Sequence, residues 1–228
     1  MSARNLWINA FPVAKAEDAV RAVKEAWSYL TLIYRPYFNP KIKEPDITLI
    51  LVSLLRDVVS EQLGLRGQWG AENVSARIDV NSGKILEKRR ADINYLWNND
   101  CLSINIIIEF KKFRSTKTSI DNYCGEEGML RFISGYYSKK QPIALMAGII
   151  MDDYTGCMSK LLKKIQEPET MLLLQLVQTD ENEAYYFPSR LFPAHAEFDT
   201  EHLRPEEMAP AHGTINLSHF FLSFGYSI

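Results

Sequence analysis

The chain has 228 residues, 46% of them hydrophobic and 24% charged, and a formal net charge of -2. That is enough for one domain with a full core, and no apolar run approaches the roughly 20 residues of a membrane span. Asn5, Asn9 and Lys15 interrupt the start, so no signal peptide is expected, and three scattered cysteines (Cys101, Cys124, Cys157) argue against a disulfide framework or zinc site and for a reducing cytoplasm.

Val20, Val23, Trp27, Leu30 and Tyr34 recur at helical spacing, which predicts an amphipathic helix over 16–34 that stops before Pro36. The three prolines of 35–45 make a connector. Asp46 is the expected N-cap of a second, mostly apolar helix, with Gly64 as its C-terminal stop. Three strands follow, over 73–80, 84–97 and 101–113, separated by Asn-Ser-Gly and Asn-Asn-Asp turns. In the third, Leu102, Ile104, Ile106, Ile108 and Phe110 share one face; Ser103, Asn105, Ile107, Glu109 and Lys111 share the other.

A polar loop over 114–128 then leads into a helical stripe of Met129, Phe132, Ile133, Tyr136 and Tyr137. The apolar run 142–153 reads as a central strand, 154–166 as a helix, and 170–179 and 183–192 as strands. From Pro193 onward the chain is expected to wrap the surface. Phe220, Phe221, Leu222 and Phe224 would either complete the core or form a subunit interface.

Charge is uneven along the chain. Residues 84–117 hold Lys84, Lys88, Arg89, Arg90, Lys111, Lys112, Arg114 and Lys117 against four acids. Residues 165–228 hold only Arg190 and Arg204 against ten acids. This suits a basic face for a phosphate-rich substrate and an acidic face turned away from it, towards a protein partner.

If the second and third strands pair, Asp92, Glu109 and Lys111 converge. Two carboxylates suit a hard divalent cation, and a lysine beside them orients a water or stabilises developing charge. This Asp92, Glu109-Phe110-Lys111 set, in its strand-turn-strand context, resembles the PD-(D/E)XK nuclease superfamily, with Ala91 where that family often has proline. The resemblance spans roughly 46–187. It implies an α/β restriction-endonuclease-like sandwich, a central mixed sheet flanked by helices in three layers. Residues 1–45 would then be an N-terminal helical extension, 46–192 the nuclease core and 193–228 a C-terminal segment packed on it.

The resemblance further implies Mg²⁺, with Mn²⁺ as substitute, held by Asp92, Glu109 and the carbonyl of Phe110. A further glutamate would come from the helix before the meander, for which Glu61 is favoured over Glu72. The helix after the active strand would contact substrate phosphate, which brings in Tyr123 and Arg131, although Glu127 and Arg131 also have the spacing of a surface ion pair. Lys112, Arg114 and Lys117 leave the active strand directly and, with Arg90, are the better phosphate contacts.

The four histidines lie in the last 34 residues without metal-motif spacing. No P-loop or Gly-x-Ser-x-Gly elbow occurs. The expected function is a Mg²⁺-dependent DNA endonuclease, of the kind used in restriction or prokaryotic antiviral defence, acting as a homodimer or with a partner defence protein. The alternative is a catalytically silent nuclease-fold subunit that binds nucleic acid or a protein.

Overall fold

The computed structural model describes residue 8 and residues 11–78, 85–100 and 102–226. The first helix, α1 (Val13–Thr31), buries Val20, Val23, Trp27 and Leu30 as their spacing requires. It ends a turn earlier than expected and leaves Tyr34 exposed, because Arg35 Nη1 binds the carbonyls of Leu30 and Ile33 and ties off the last turn. The second helix, α2 (Glu44–Leu54), runs on through a wider turn at Leu55–Val59 and a last turn at Ser60–Gln62. It starts two residues before Asp46, because Pro45 suits the first turn, where a missing N–H costs nothing. Gly64, at φ +64, stops it as its sequence position implies.

The expected meander is present as β1 (Gln68–Ile78), β2 (Ile85–Asn98) and β3 (Ser103–Phe113), all antiparallel. The turn expected at 81–83 lies outside the described residues. At the second turn Asn99 Oδ1 accepts from the Leu102 N–H at 2.7 Å. Then come α3 (Lys117–Cys124), α4 (Met129–Ile133), β4 (Ile143–Ile150), α5 (Tyr154–Ile165), α6 (Pro168–Leu173), β5 (Phe198–Leu203) and β6 (Thr214–Ser223). The segment read as a polar loop forms α3, because Thr116 caps it by accepting from the Ser119 N–H.

The six strands make one mixed sheet in the order β1-β2-β3-β4-β6-β5, with β3, β4 and β6 mutually parallel. Alternation along β3 divides two cores. Ile104, Ile106, Ile108 and Phe110 pack with α1 and α2, while Ile107 and Phe113 pack with α3, α4 and α5 on the opposite face. Gly148, paired with Lys111 on the neighbouring strand, leaves room for the Phe221 ring, which a Cβ would meet at 2.4 Å. The α/β class with helices on both faces of a mixed sheet therefore holds.

Three expectations change. Residues 170–173 belong to α6, and 174–192 form no regular strand beyond single bridges of Leu176 to His202 and Tyr186 to Asp199. Pro168 starts a helix there, and Pro188 has no N–H for a ladder. The helix of the expected 1–45 extension is part of the core: α1 shares one hydrophobic cluster with β3, β4 and β6. The last segment is no surface wrapping. β6 lies between β4 and β5 with nearly every residue buried, so Phe220 to Leu222 complete this domain's own core and form no subunit interface.

Candidate active site

Ile93 pairs with Ile108, so the next residues along, Asp92 and Glu109, meet where β2 and β3 begin to part. Asp92 Oδ2 accepts from the Phe110 N–H at 2.9 Å, which fixes the carboxylate against β3. Glu109 is fully buried. Its Oε1 accepts from Lys111 Nζ at 2.8 Å and from Arg131 Nη1 at 2.9 Å. Its Oε2 is buried with no hydrogen-bond partner. Phe110 points the other way into the core, as period-2 alternation demands.

Electrostatics follow from this crowding. Burial, then repulsion from Asp92, pushes the Glu109 carboxyl up to about 7, against the pull of Lys111 and Arg131. Burial also raises Asp92, opposed by the Phe110 N–H and Lys111. Burial alone would lower Lys111, but Glu109, Glu44 and Asp92 together hold its ammonium above the usual range. Two carboxylates resisting ionisation beside an unpartnered buried oxygen is a site with unmet demand for positive charge.

The helix before the meander does bring a carboxylate to the edge of this site, but it is Glu44. Its Oε1 lies 4.0 Å from Lys111 Nζ and its Oε2 accepts from the Lys112 N–H. Glu61 sits 17 residues further along the same helix, about 25 Å away at 1.5 Å per residue. There it is exposed beside Arg56, Gln68 and Trp69. Glu72 does not fill the role either. It takes a bulge-like φ of +47 on β1, and its carboxylate pairs with Arg90. The sequence signal for Glu44 is the Pro45 beside it, which marks the true helix start, where the N-terminal dipole favours an anion.

The expected phosphate contacts separate. Arg131 keeps its ion pair with Glu127 but also reaches into the site, bonding Glu109 and the Tyr137 hydroxyl at 3.1 Å. Tyr137 in turn donates to the Arg90 carbonyl, a link no spacing rule announces. Arg114 and Lys117 are exposed, with Lys117 paired to Asp121. Lys112 is not available: its ammonium is held by the carbonyls of Pro40 and Ile42, and so it fastens the connector before α2. Tyr123 is fully buried, stacked among Phe113 and Phe221, with its hydroxyl 3.0 Å from His219 Nδ1. It cannot touch nucleic acid.

No group of three or more His, Cys, Asp or Glu side chains converges at metal-ligand geometry among the described residues. The chain thus offers two carboxylates, Asp92 and Glu109, with Glu44 facing the same spot. That set fits Mg²⁺, which commonly takes one or two carboxylates and fills its shell with water and substrate oxygens. A separate cleft of about 670 Å³ lies near the β5 edge, lined by Asp180, Glu181, Glu183, Tyr185 and Tyr186, remote from this chemistry. Of the ten C-terminal acids, Asp199 and Glu201 are buried rather than displayed. No helix among the described residues is long and apolar enough to cross a membrane.

No protein-family model matches the chain, and no curated protein or solved structure matches it.

Proposed function

We propose that the protein is a divalent-metal-dependent nuclease that hydrolyses phosphodiester bonds, with DNA as substrate. One observation carries the reading: Asp92, Glu109 and Lys111 meet at one spot, and a buried oxygen of Glu109 has no partner. Mg²⁺ or Mn²⁺ bound at Asp92 and Glu109 would supply Lewis acidity and a bound water of lowered pKa.

The chain's own residues do the remaining work. Asp92 is held against β3 by the Phe110 N–H, which limits the rotamers its carboxylate must search. Lys111, anchored on Glu109, keeps its proton and presents Nζ to the attacking water or to charge growing on the phosphoryl oxygens. Arg131 sits on the same carboxylate oxygen and is aligned by Tyr137. Substrate phosphate draws this guanidinium, which donates in a planar fork. Glu44 lies close enough to hold Lys111 in place.

The test is incubation of purified protein with plasmid DNA, single-stranded DNA and RNA, each with Mg²⁺, Mn²⁺ or EDTA. Metal-dependent cleavage that disappears in Glu109→Gln is expected. Cleavage that survives EDTA or that substitution overturns the assignment. Binding without cleavage under every condition would make the protein a non-catalytic nucleic-acid-binding subunit.

A further inference from the structure

We propose that residues 73–78 and 85–91 form a β-ribbon arm that binds duplex DNA, which names the substrate class of the nuclease proposed above and rests on that reading. The pairing pattern defines the arm. β2 pairs with β3 only from Asn98 back to Ile93, whereas its pairing with β1 continues from Ala91 to Ile85, opposite Asn73 to Ile78. Eight residues of β2, from Asp92 back to Ile85, therefore run about 26 Å past the last β3 partner.

A ribbon with no third strand is marginal in water. Ala91, at its root, is buried in the second core, while Arg90 beside it is exposed. The ribbon's residues include Arg77, Lys88, Arg89 and Arg90 against Glu87, in a chain of net charge -2. Val74, on its outer strand, is 54% exposed. A two-stranded ribbon rich in cations is costly as scaffold and well suited as a contact to phosphate.

Its root makes the placement functional. The arm leaves the sheet at Asp92, and the Arg90 carbonyl accepts from Tyr137. Tyr137 bonds Arg131, and Arg131 bonds Glu109. At the same level Arg90 is paired with Glu72 of the other strand. The base of the arm is thus tied by consecutive hydrogen bonds to the buried carboxylate of the site. A polyanion lying along the arm would bring its backbone to Asp92 and Glu109.

Shape selects the ligand. The major groove of B-DNA, about 12 Å wide, admits a two-stranded ribbon. The major groove of duplex RNA is deep and narrow and excludes it. A single strand has no groove for the ribbon to enter.

Binding is measured in EDTA, so that no chemistry is needed, with a labelled DNA duplex two turns long, its single strand and an RNA duplex of the same sequence. Wild type is expected to prefer the DNA duplex. The combined Arg77→Ser, Lys88→Ser, Arg89→Ser variant should bind it more weakly, and the slope of log affinity against log salt should fall by about 2.7, from three phosphates at about 0.9 each. An unchanged slope, or a preference for RNA or single strands, overturns the arm. Should the triple variant misfold, a photo-crosslinking phenylalanine derivative in place of Val74 decides: crosslinks to duplex DNA are expected, and their absence overturns the proposal. Plasmid cleavage separates the two readings. Cleavage by wild type with no contribution of the arm to binding removes the arm and leaves the nuclease. Arm-dependent duplex binding without any cleavage does the reverse.

Discussion

Glu44 and Lys111 lie 67 positions apart in sequence, yet the carboxylate of one reaches to 4.0 Å from the ammonium of the other. The start of α2 is thereby pinned to the end of β3. The same carboxylate caps the Lys112 N–H, and the Lys112 ammonium returns to the Pro40 and Ile42 carbonyls just before the helix. Connector, helix start and the end of β3 form one hydrogen-bonded corner.

Removing the charge at that corner should be felt at the site. Glu44→Gln keeps an acceptor for the Lys112 N–H but no longer holds Lys111 by charge. The metal concentration needed for half-maximal cleavage is expected to rise, with nucleic-acid affinity in EDTA little changed. Glu61→Gln, about 25 Å away along the helix, should leave the metal titration as in wild type. A shift with Glu61→Gln and none with Glu44→Gln would reverse this assignment.

Asp92→Asn, Glu109→Gln and Lys111→Ala should each lower cleavage by at least about 10²-fold, the scale of losing one preorganised charge-stabilising group. Because the three act as a unit, double variants should be little worse than singles. Rates under single-turnover conditions, with circular dichroism to confirm folding, check both points. A single variant within a few-fold of wild type would remove that residue from the machinery.

Stability should carry the signature of Glu109. Its folded pKa, about 7, lies above the ordinary value of 4.5. The folded state therefore holds the proton more tightly, so this stabilisation is complete below pH 4.5 and is lost as pH rises through about 7. The difference amounts to about 3 kcal/mol at 1.36 kcal/mol per unit. Asp92 shifts in the same sense. Buried His202 and His219, both held neutral, act in the opposite sense below 6.5. The diagnostic is thus the difference between metal-free wild type and Glu109→Gln in urea, which should move in favour of Gln by about that amount between pH 4.5 and pH 8. Parallel profiles would contradict the buried, crowded carboxylate.

Metal binding should release protons for the same reason. Near pH 7 Glu109 is about half protonated, so each ion bound should expel on the order of half a proton. Calorimetric titration with Mn²⁺ in two buffers of different ionisation enthalpy reads this directly. Glu109→Gln should bind weakly and release none; equal heats in both buffers with wild type would contradict it.

Tyr123 tests the distinction between core and interface. Tyr123→Phe leaves His219 without its 3.0 Å partner and should cost about 1–3 kcal/mol of stability. Folded variant should bind nucleic acid as wild type does. Salt-dependent loss of binding at unchanged stability would return Tyr123 to the phosphate contacts.

The β3 pattern was readable because alternation on a strand is local: once Ile104 to Phe110 must be buried, Glu109 and Lys111 must face the other way. Asp92 followed from the turn between two β-rich runs. The tenor of Arg131, as an ion pair with Glu127, was also local, whereas its reach to Glu109 depends on how α4 docks against the sheet. Glu44 was hidden by a three-residue error in the helix start, and Tyr123 was brought in by its place on the helix after β3, which says nothing about depth. The C-terminal acids misled for a related reason. A carboxylate looks solvated in sequence, but Asp199 is buried and accepts from Ser189 Oγ and the backbone N–H groups of Arg190 and Leu191. Sequence alone determined the residues that periodicity and turn chemistry constrain within a strand or helix. Tertiary structure decided the pairing of distant elements, the central place of β6, the choice of Glu44 over Glu61, and the point where β2 outruns β3, because each depends on contacts between segments whose separation along the chain carries no periodic signal.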